Sequence, residues 1–84
     1  MQLRWHFIGG LVVPRKPEPS LRNSVRKLRT DSKQTQQALA DLVGVTRQTI
    51  VAMESGSYVP SLPLAIRVAR AFERTVEEVF TLDS

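Results

Sequence analysis

Side chains able to do covalent or metal chemistry are few in this sequence, and they are badly spaced for it. His6 is the one histidine and cysteine is absent. The adjacent carboxylates Glu77 and Glu78 follow Thr75 in a Thr-Val-Glu-Glu capping box, which accounts for them without a reaction. No serine–histidine–acid set, zinc ligand cluster or glycine-rich phosphate cradle can be assembled, so we expect no enzyme, no catalytic residues, no metal and no cofactor. The chemistry that the spacing does support is recognition. Residues 35–56, TQQALADLVGVTRQTIVAMESG, read as two short helices joined by a tight glycine-containing turn. Ala40 is small enough for the helices to approach closely, Gly44 turns the chain, Val45 plugs the gap and Ile50 anchors the second helix. Thr46, Arg47, Gln48, Thr49 and Ala52 are left on the outer, N-terminal side of that helix, the end that enters a DNA major groove in such motifs. A purely structural helix pair would satisfy the same Ala–Gly–Ile spacing.

These side chains need a scaffold, and the pattern from Ser20 onward supplies a helical one. A first helix is expected over Leu21–Asp31, with Leu21, Val25 and Leu28 on one face. Ser32-Lys33-Gln34 is a connector. Thr35 caps a second helix, Gln36–Val43, whose inner face is Leu39, Leu42 and Val43, and Gly44 ends it. Thr46 caps a third, Arg47 to about Ser55, with Ile50 and Met53 inward and Gly56 at its end. Ser61 caps a fourth over about Leu62–Phe72, where Pro63 is tolerated in the first turn. Its buried stripe reads as Leu62, Ala65, Ile66, Ala69 and Phe72. The Thr75 capping box opens a short fifth helix carrying Val76, Val79 and Phe80. Five short helices with tight links make an all-α orthogonal bundle.

Bulk properties fit that outline. A chain of 84 residues allows one small domain. Residues 1–33 carry eight basic side chains (Arg4, Arg15, Lys16, Arg22, Arg26, Lys27, Arg29, Lys33) against Glu18 and Asp31, whereas residues 34–84 carry four against six acidic ones. A basic half suits a polyanion, because neutralising phosphates releases counterions, although a solvated basic face reads the same. Pro14, Pro17 and Pro19 bar a regular helix near the start, so residues 1–20 form an arm or linker, extended over Met1–Val13, or an artefact of the gene start. The apolar run Phe7–Val13 is broken by Gly9-Gly10, is too short to cross a bilayer and is followed by no cleavage site. No membrane partner and no export are expected.

Longer strings carry more information. Val25-Arg-Lys-Leu-Arg29, Thr35-Gln36, Leu39-Ala40, Gly44-Val-Thr-Arg-Gln-Thr-Ile50, Glu54-Ser-Gly56, Tyr58-Val-Pro-Ser-Leu62, Ala69-Arg-Ala71 and Glu77-Glu-Val-Phe80 occur in order. With them, residues 23–80 resemble the Cro and phage-repressor type of helix-turn-helix domain. The resemblance implies a compact five-helix, lambda-repressor-like DNA-binding domain over residues 21–84, behind an irregular N-terminal arm of residues 1–20. It also implies a transcriptional regulator, of repressor type, that binds double-stranded DNA sequence-specifically. Such a protein is cytoplasmic, bacterial or phage-encoded and nucleoid-associated. It works as a homodimer on a palindromic operator, with the 46–55 helix in the major groove. The dimer contact falls around Val59–Leu62 and Val76–Leu82. The alternative on the same fold is an antitoxin or a protein-binding adaptor, with the arm clasping a protein partner.

Roles follow from the same resemblance. Arg47, Gln48, Thr49 and Ala52 contact bases, with Arg suited to guanine, Gln to adenine and Ala52 to a thymine methyl. Gln36, Thr46, Ser57 and Lys33 face phosphates, and the first helical turn behind Gln36 points its N–H groups the same way. Tyr58 contacts the backbone or packs on the core. Arg29 and Glu54 form a largely buried structural salt bridge. Arg15 and Lys16 wrap DNA, or Trp5 and Phe7 pack onto the domain or a partner. The sequence departs from its relatives in having Lys33 where they commonly carry Gly, Gln34 where they carry a large apolar residue, Ala38 in place of an acidic one and Glu73 in place of Gly. A looser entry to the motif is one expected consequence.

Overall fold

The computed structural model describes the backbone of residues 5–8 and 11–14, and residues 20–83 throughout. Its elements in order are β1 (Trp5–Ile8), β2 (Leu11–Pro14), β3 (Leu21–Asn23), α1 (Val25–Asp31), α2 (Gln36–Val43), α3 (Arg47–Ser55), α4 (Leu62–Ala71), α5 (Val76–Val79) and β4 (Phe80–Leu82). Five helices enclose one core, and the fold is the helical bundle expected. It is not purely helical. β1 and β2 pair antiparallel, with Trp5 opposite Pro14 and Ile8 opposite Leu11. Part of the expected irregular arm is therefore a hairpin. The roles expected of Arg15 and Lys16, and of the Trp5 and Phe7 side chains, lie outside the described residues.

A second two-stranded sheet closes the domain. Leu21, Arg22 and Asn23 lie opposite Leu82, Thr81 and Phe80. The first helix accordingly begins at Val25, not at Leu21, because residues 21–23 spend their backbone groups on a strand some sixty positions away. Asn23 makes the junction. Its side-chain oxygen accepts from the Val25 N–H at 3.1 Å, and its amide donates to the Met53 carbonyl at 2.9 Å. One side chain thus caps α1 and ties it to the end of α3.

The remaining helices start where their caps dictate. The hydroxyls of Thr35, Thr46, Ser61 and Thr75 accept from the N–H groups of Ala38, Thr49, Leu64 and Glu78. Each satisfies one of the donors a helix start leaves free. In the α2–α3 turn the N–H groups of Gly44 and Val45 both return to the Ala40 carbonyl. This needs the left-handed φ of 78° that Gly44 adopts.

Lys33 (φ 58°) and Glu73 (φ 55°) are left-handed without being glycine. These are two of the positions at which the resemblance implies glycine, so the strain falls where glycine is absent. The connector is nevertheless closed, since Arg29 Nη1 donates to the Gln34 carbonyl at 2.9 Å and the Gln34 N–H donates to the Arg29 carbonyl at 3.0 Å. The expected looser entry is not found.

The core consists of Val25, Leu39, Ala40, Val43, Ile50, Met53, Leu64, Ala65, Val68, Ala69, Val79 and Phe80. Burying each large member contributes roughly 1.5–3 kcal/mol. Ala40 is fully buried, and Val45 packs partly buried against the cluster. Three expected core residues are not there: Leu42 is 62% exposed, Leu62 is 66% exposed, and Ile66 is half-buried outside the core cluster. On α4 the buried stripe runs through Leu64, Ala65, Val68 and Ala69 instead. The segment LPLAIRVARA is apolar at almost every position, so more than one face satisfies the helical period, and packing against α2 and α5 selects among them.

Candidate nucleic-acid interface

Glu54 is the keystone of the motif. It sits in the last turn of α3, and its side chain is 0% exposed. Arg29, 13% exposed at its side chain, reaches it from α1 with Nε to Oε2 at 2.7 Å and Nη2 to Oε1 at 3.2 Å. The fork matches the two carboxylate oxygens one to one, the geometry in which a guanidinium holds a carboxylate most firmly. From α2, Gln36 Nε2 donates to Oε1 at 3.2 Å. One carboxylate therefore fixes α1, α2 and α3 relative to one another. Burial pushes the Glu54 carboxyl up, but the hydrogen bonds from Arg29 and Gln36 and the Arg29 charge outweigh it and hold it below the ordinary value near 4.5. The hydrogen bond to Glu54, opposed by burial and helped by its charge, raises Arg29.

Around this buried anchor the side chains expected to face DNA are distributed as follows. Arg47 and Gln48, the first two residues of α3, are exposed, and neither makes a side-chain hydrogen bond among the described residues. Thr49 is half-buried, with its hydroxyl 3.1 Å from that of Thr46, which also caps the helix. Ala52 is half-buried one turn on. Gln36 opens α2 with its amide already engaged on Glu54, leaving one amide N–H to offer outward. An open notch lined by Arg26, Arg29, Thr35, Gln36, Gln37 and Arg47 brings the heads of α2 and α3 together. Ser57 lies beyond the far end of α3, bonded to Ser55 and to the Ala52 carbonyl. Lys33 is exposed in the α1–α2 connector, apart from that notch. Tyr58 is 38% exposed and is not part of the core.

Sequence reasoning missed two side chains here. Arg67 on α4 donates through Nε to the Val43 carbonyl at 3.0 Å and so caps the end of α2. Arg26 lies one turn before Arg29 on the same face of α1, with Nε 3.6 Å from Glu54 Oε1. Their spacing of three was the available signal for Arg26. Arg67 had none, since its partner is a backbone carbonyl on another helix.

A family model described as helix-turn-helix matches residues 25–79. The HTH-type transcriptional regulator YgzD of Bacillus subtilis is 46% identical over 63 residues, which cover 75% of this chain and 96% of that protein. An HTH-type transcriptional regulator of Methanothermobacter thermautotrophicus is 52% identical over 64 residues, covering 75% and 93%. Among solved structures, the restriction-modification controller protein C.AhdI from Aeromonas hydrophila superposes with a TM-score of 0.61 at 31% identity, over 64% of this chain and 82% of that one. Fold, keystone and these likenesses agree: the chain belongs to the helix-turn-helix family of DNA-binding transcriptional regulators, in its Cro and phage-repressor branch.

Proposed function

We propose that this protein represses transcription as a homodimer, inserting the N-terminal end of α3 into successive major grooves of a palindromic operator. The observation that carries this reading is the pair Arg47 and Gln48. Both are exposed at the head of α3 and free of partners among the described residues, while the helix beneath them is locked by Glu54. A side chain that reads a base edge must be free to bond outward from a rigid support. Arg47, Gln48, Thr49 and Ala52 address bases, and Gln36, Thr46, Ser57 and Lys33 address phosphates. Thr49 shares its hydroxyl with Thr46, so its contact is through the methyl group or by a bifurcated bond. Arg29 and Glu54 act on DNA only by holding the motif in shape.

Dimerisation is supported by exposed apolar side chains. Val59 is 67% exposed, Leu62 66% and Leu82 62%, in the two segments expected to meet a second copy. One recognition helix covers only a few base pairs, so a two-fold pair is the economical way to specify a site. The described residues contain no helix long and apolar enough to cross a membrane, which is compatible with a cytoplasmic, nucleoid-associated protein. The reading involves no reaction, metal or cofactor.

The β1–β2 hairpin favours a protein partner as well. It lies outside the matched residues 25–79 and carries Trp5, Phe7, Ile8, Leu11, Val12 and Val13. A lone two-stranded hairpin is marginal in water, and a covering surface would stabilise it. An antitoxin or adaptor would use it so, and a toxin gene beside this one would favour that version. The main reading is tested by selecting bound sequences from a random duplex pool. The expected product is an inverted repeat with half-sites one helical turn apart, about 10–10.5 base pairs. Recovery of unenriched sequence sinks the reading, and a single unrepeated half-site sinks the dimer.

A further inference from the structure

One apolar side chain on α3 is left without a use in the fold. Val51 is 42% exposed and takes no part in the core cluster, whose α3 members are Ile50 and Met53. A β-branched residue is a poor choice for an exposed position inside a helix, since it gives up rotamer freedom and keeps its apolar surface in water. Its direction suggests another use. At about 100° per residue, Val51 points about 40° from Arg47 and about 60° from Gln48, so it lies between the two, one turn further along the helix. Arg47, Gln48, Val51 and Ser55 are the exposed residues of α3, and they share this one arc. The arc carries no acid, because Glu54 is turned inward with its side chain 0% exposed. Ala52 lies at its edge and is half-buried.

We propose that Val51 sets operator specificity by packing on the 5-methyl group of a pyrimidine, thymine or 5-methylcytosine, close to the base that Arg47 reads. The proposal rests on the DNA-binding reading above and adds a reader to it. If Arg47 and Gln48 face the floor of a major groove, a side chain that points between them faces it too. Base edges there display donors, acceptors and one apolar group, the pyrimidine 5-methyl. Against any other edge Val51 would strip water from a polar group and offer it no hydrogen bond, which is unfavourable. Against a methyl, two apolar surfaces leave water together. Val51 therefore selects twice at its position, for the methyl and against the bare polar edges. Four residues of helix advance about 6 Å, and a base step about 3.4 Å, so the methyl falls within about two base steps of the Arg47 base.

The test uses the full chain and the selected operator, with deoxyuridine replacing each thymidine of the half-site in turn, symmetrically in both halves. The replacement removes a methyl group and leaves base pairing and the polar edges unchanged. Wild type should bind about ten- to twentyfold more weakly when the altered thymine is the one beside the Arg47 base, about fourfold for each methyl. With cytosine at that position binding falls, and 5-methylation of that cytosine is the second arm. Recovery there assigns the site to either methylated base and no recovery to thymine alone, and both outcomes support the methyl contact. In Val51→Ala the penalty for deoxyuridine at that position disappears. The melting temperature of Val51→Ala does not fall, since the valine is outside the core and alanine is the better helix former. Wild type that treats deoxyuridine and thymidine alike at every position overturns the proposal. So does Val51→Ala that keeps the full penalty, which would give the methyl to Ala52 or Thr49. A selected half-site with no thymine near the Arg47 base overturns it too. Should the random pool yield no enriched sequence, the underlying DNA-binding reading fails, a result distinct from these three.

Discussion

Replacing Glu54 with alanine takes one carboxylate from a site where three helices meet. The side chain is 0% exposed, and Arg29, at 13%, would keep its charge with little water to solvate it. Breaking a buried pair from one side costs about 3–5 kcal/mol, because the orphaned ion retains its desolvation penalty. A chain of 84 residues has a total stability of roughly 4–13 kcal/mol, so the substitution removes a large part of it. Urea unfolding followed by far-ultraviolet circular dichroism is the suitable assay, since it reads the loss of the five helices directly. With a slope near 1 kcal/mol per molar urea, the midpoint falls by about 3 M or more, or the protein is unfolded from the start. The double substitution Arg29→Met with Glu54→Leu separates pairing from position. Both charges go and apolar volume fills the space, so the double variant stays within about 1–2 kcal/mol of wild type. A Glu54→Ala cost below about 1 kcal/mol would refute the reasoning, as would a double variant no better than the sum of the single ones.

Acid should act through the same carboxylate. Glu54 titrates below its ordinary value of 4.5 when folded, so its contribution is fully present above that pH and is lost as pH falls through the folded value. Glu78 is depressed in the same sense, chiefly by its hydrogen bond with the Thr75 backbone. Urea midpoints should be flat from about pH 5 to 8 and fall below about 4.5, with a shallower fall in Glu54→Gln; stability that rises on acidification contradicts this. Lys33→Gly and Glu73→Gly should each relieve left-handed strain and stabilise by up to about 1 kcal/mol, several degrees in melting temperature. Unchanged or lower melting temperatures in both would show that φ near 55–58° is not strained there. Leu39→Ala, at a fully buried site, should cost about 2–5 kcal/mol, whereas Leu42→Ala, at a site 62% exposed, should cost under about 1. Calorimetry showing equal costs would place Leu42 in the core after all.

What the sequence made legible was whatever local chemistry dictates. Helices α2 and α3 begin and end where Thr35, Gly44, Thr46 and Gly56 say they must, because each signal acts within one turn of the chain. The start of α1 was not legible. Leu21 fits a helical face, yet residues 21–23 pair with residues 80–82, and no local pattern announces a partner so distant. The inner face of α4 was ambiguous for a different reason. An apolar residue stands at nearly every position of LPLAIRVARA, so the helical period has more than one phase, and only the neighbouring helices choose. At the interface, Arg47 and Gln48 stand out by position after a cap. Arg26 does not, because its meaning depends on an acid 28 residues away that belongs to Arg29 first.

The central claim is that Arg47 reads a base from a rigid α3. It is tested by measuring the affinity of wild type and Arg47→Ala for the selected operator and for each of its single-base-pair variants at fixed salt. Wild type should lose about 1–3 kcal/mol at each contacted position, and Arg47→Ala should lose that discrimination at one position only. Weakening by one common factor across every sequence would contradict the claim and make Arg47 a phosphate contact.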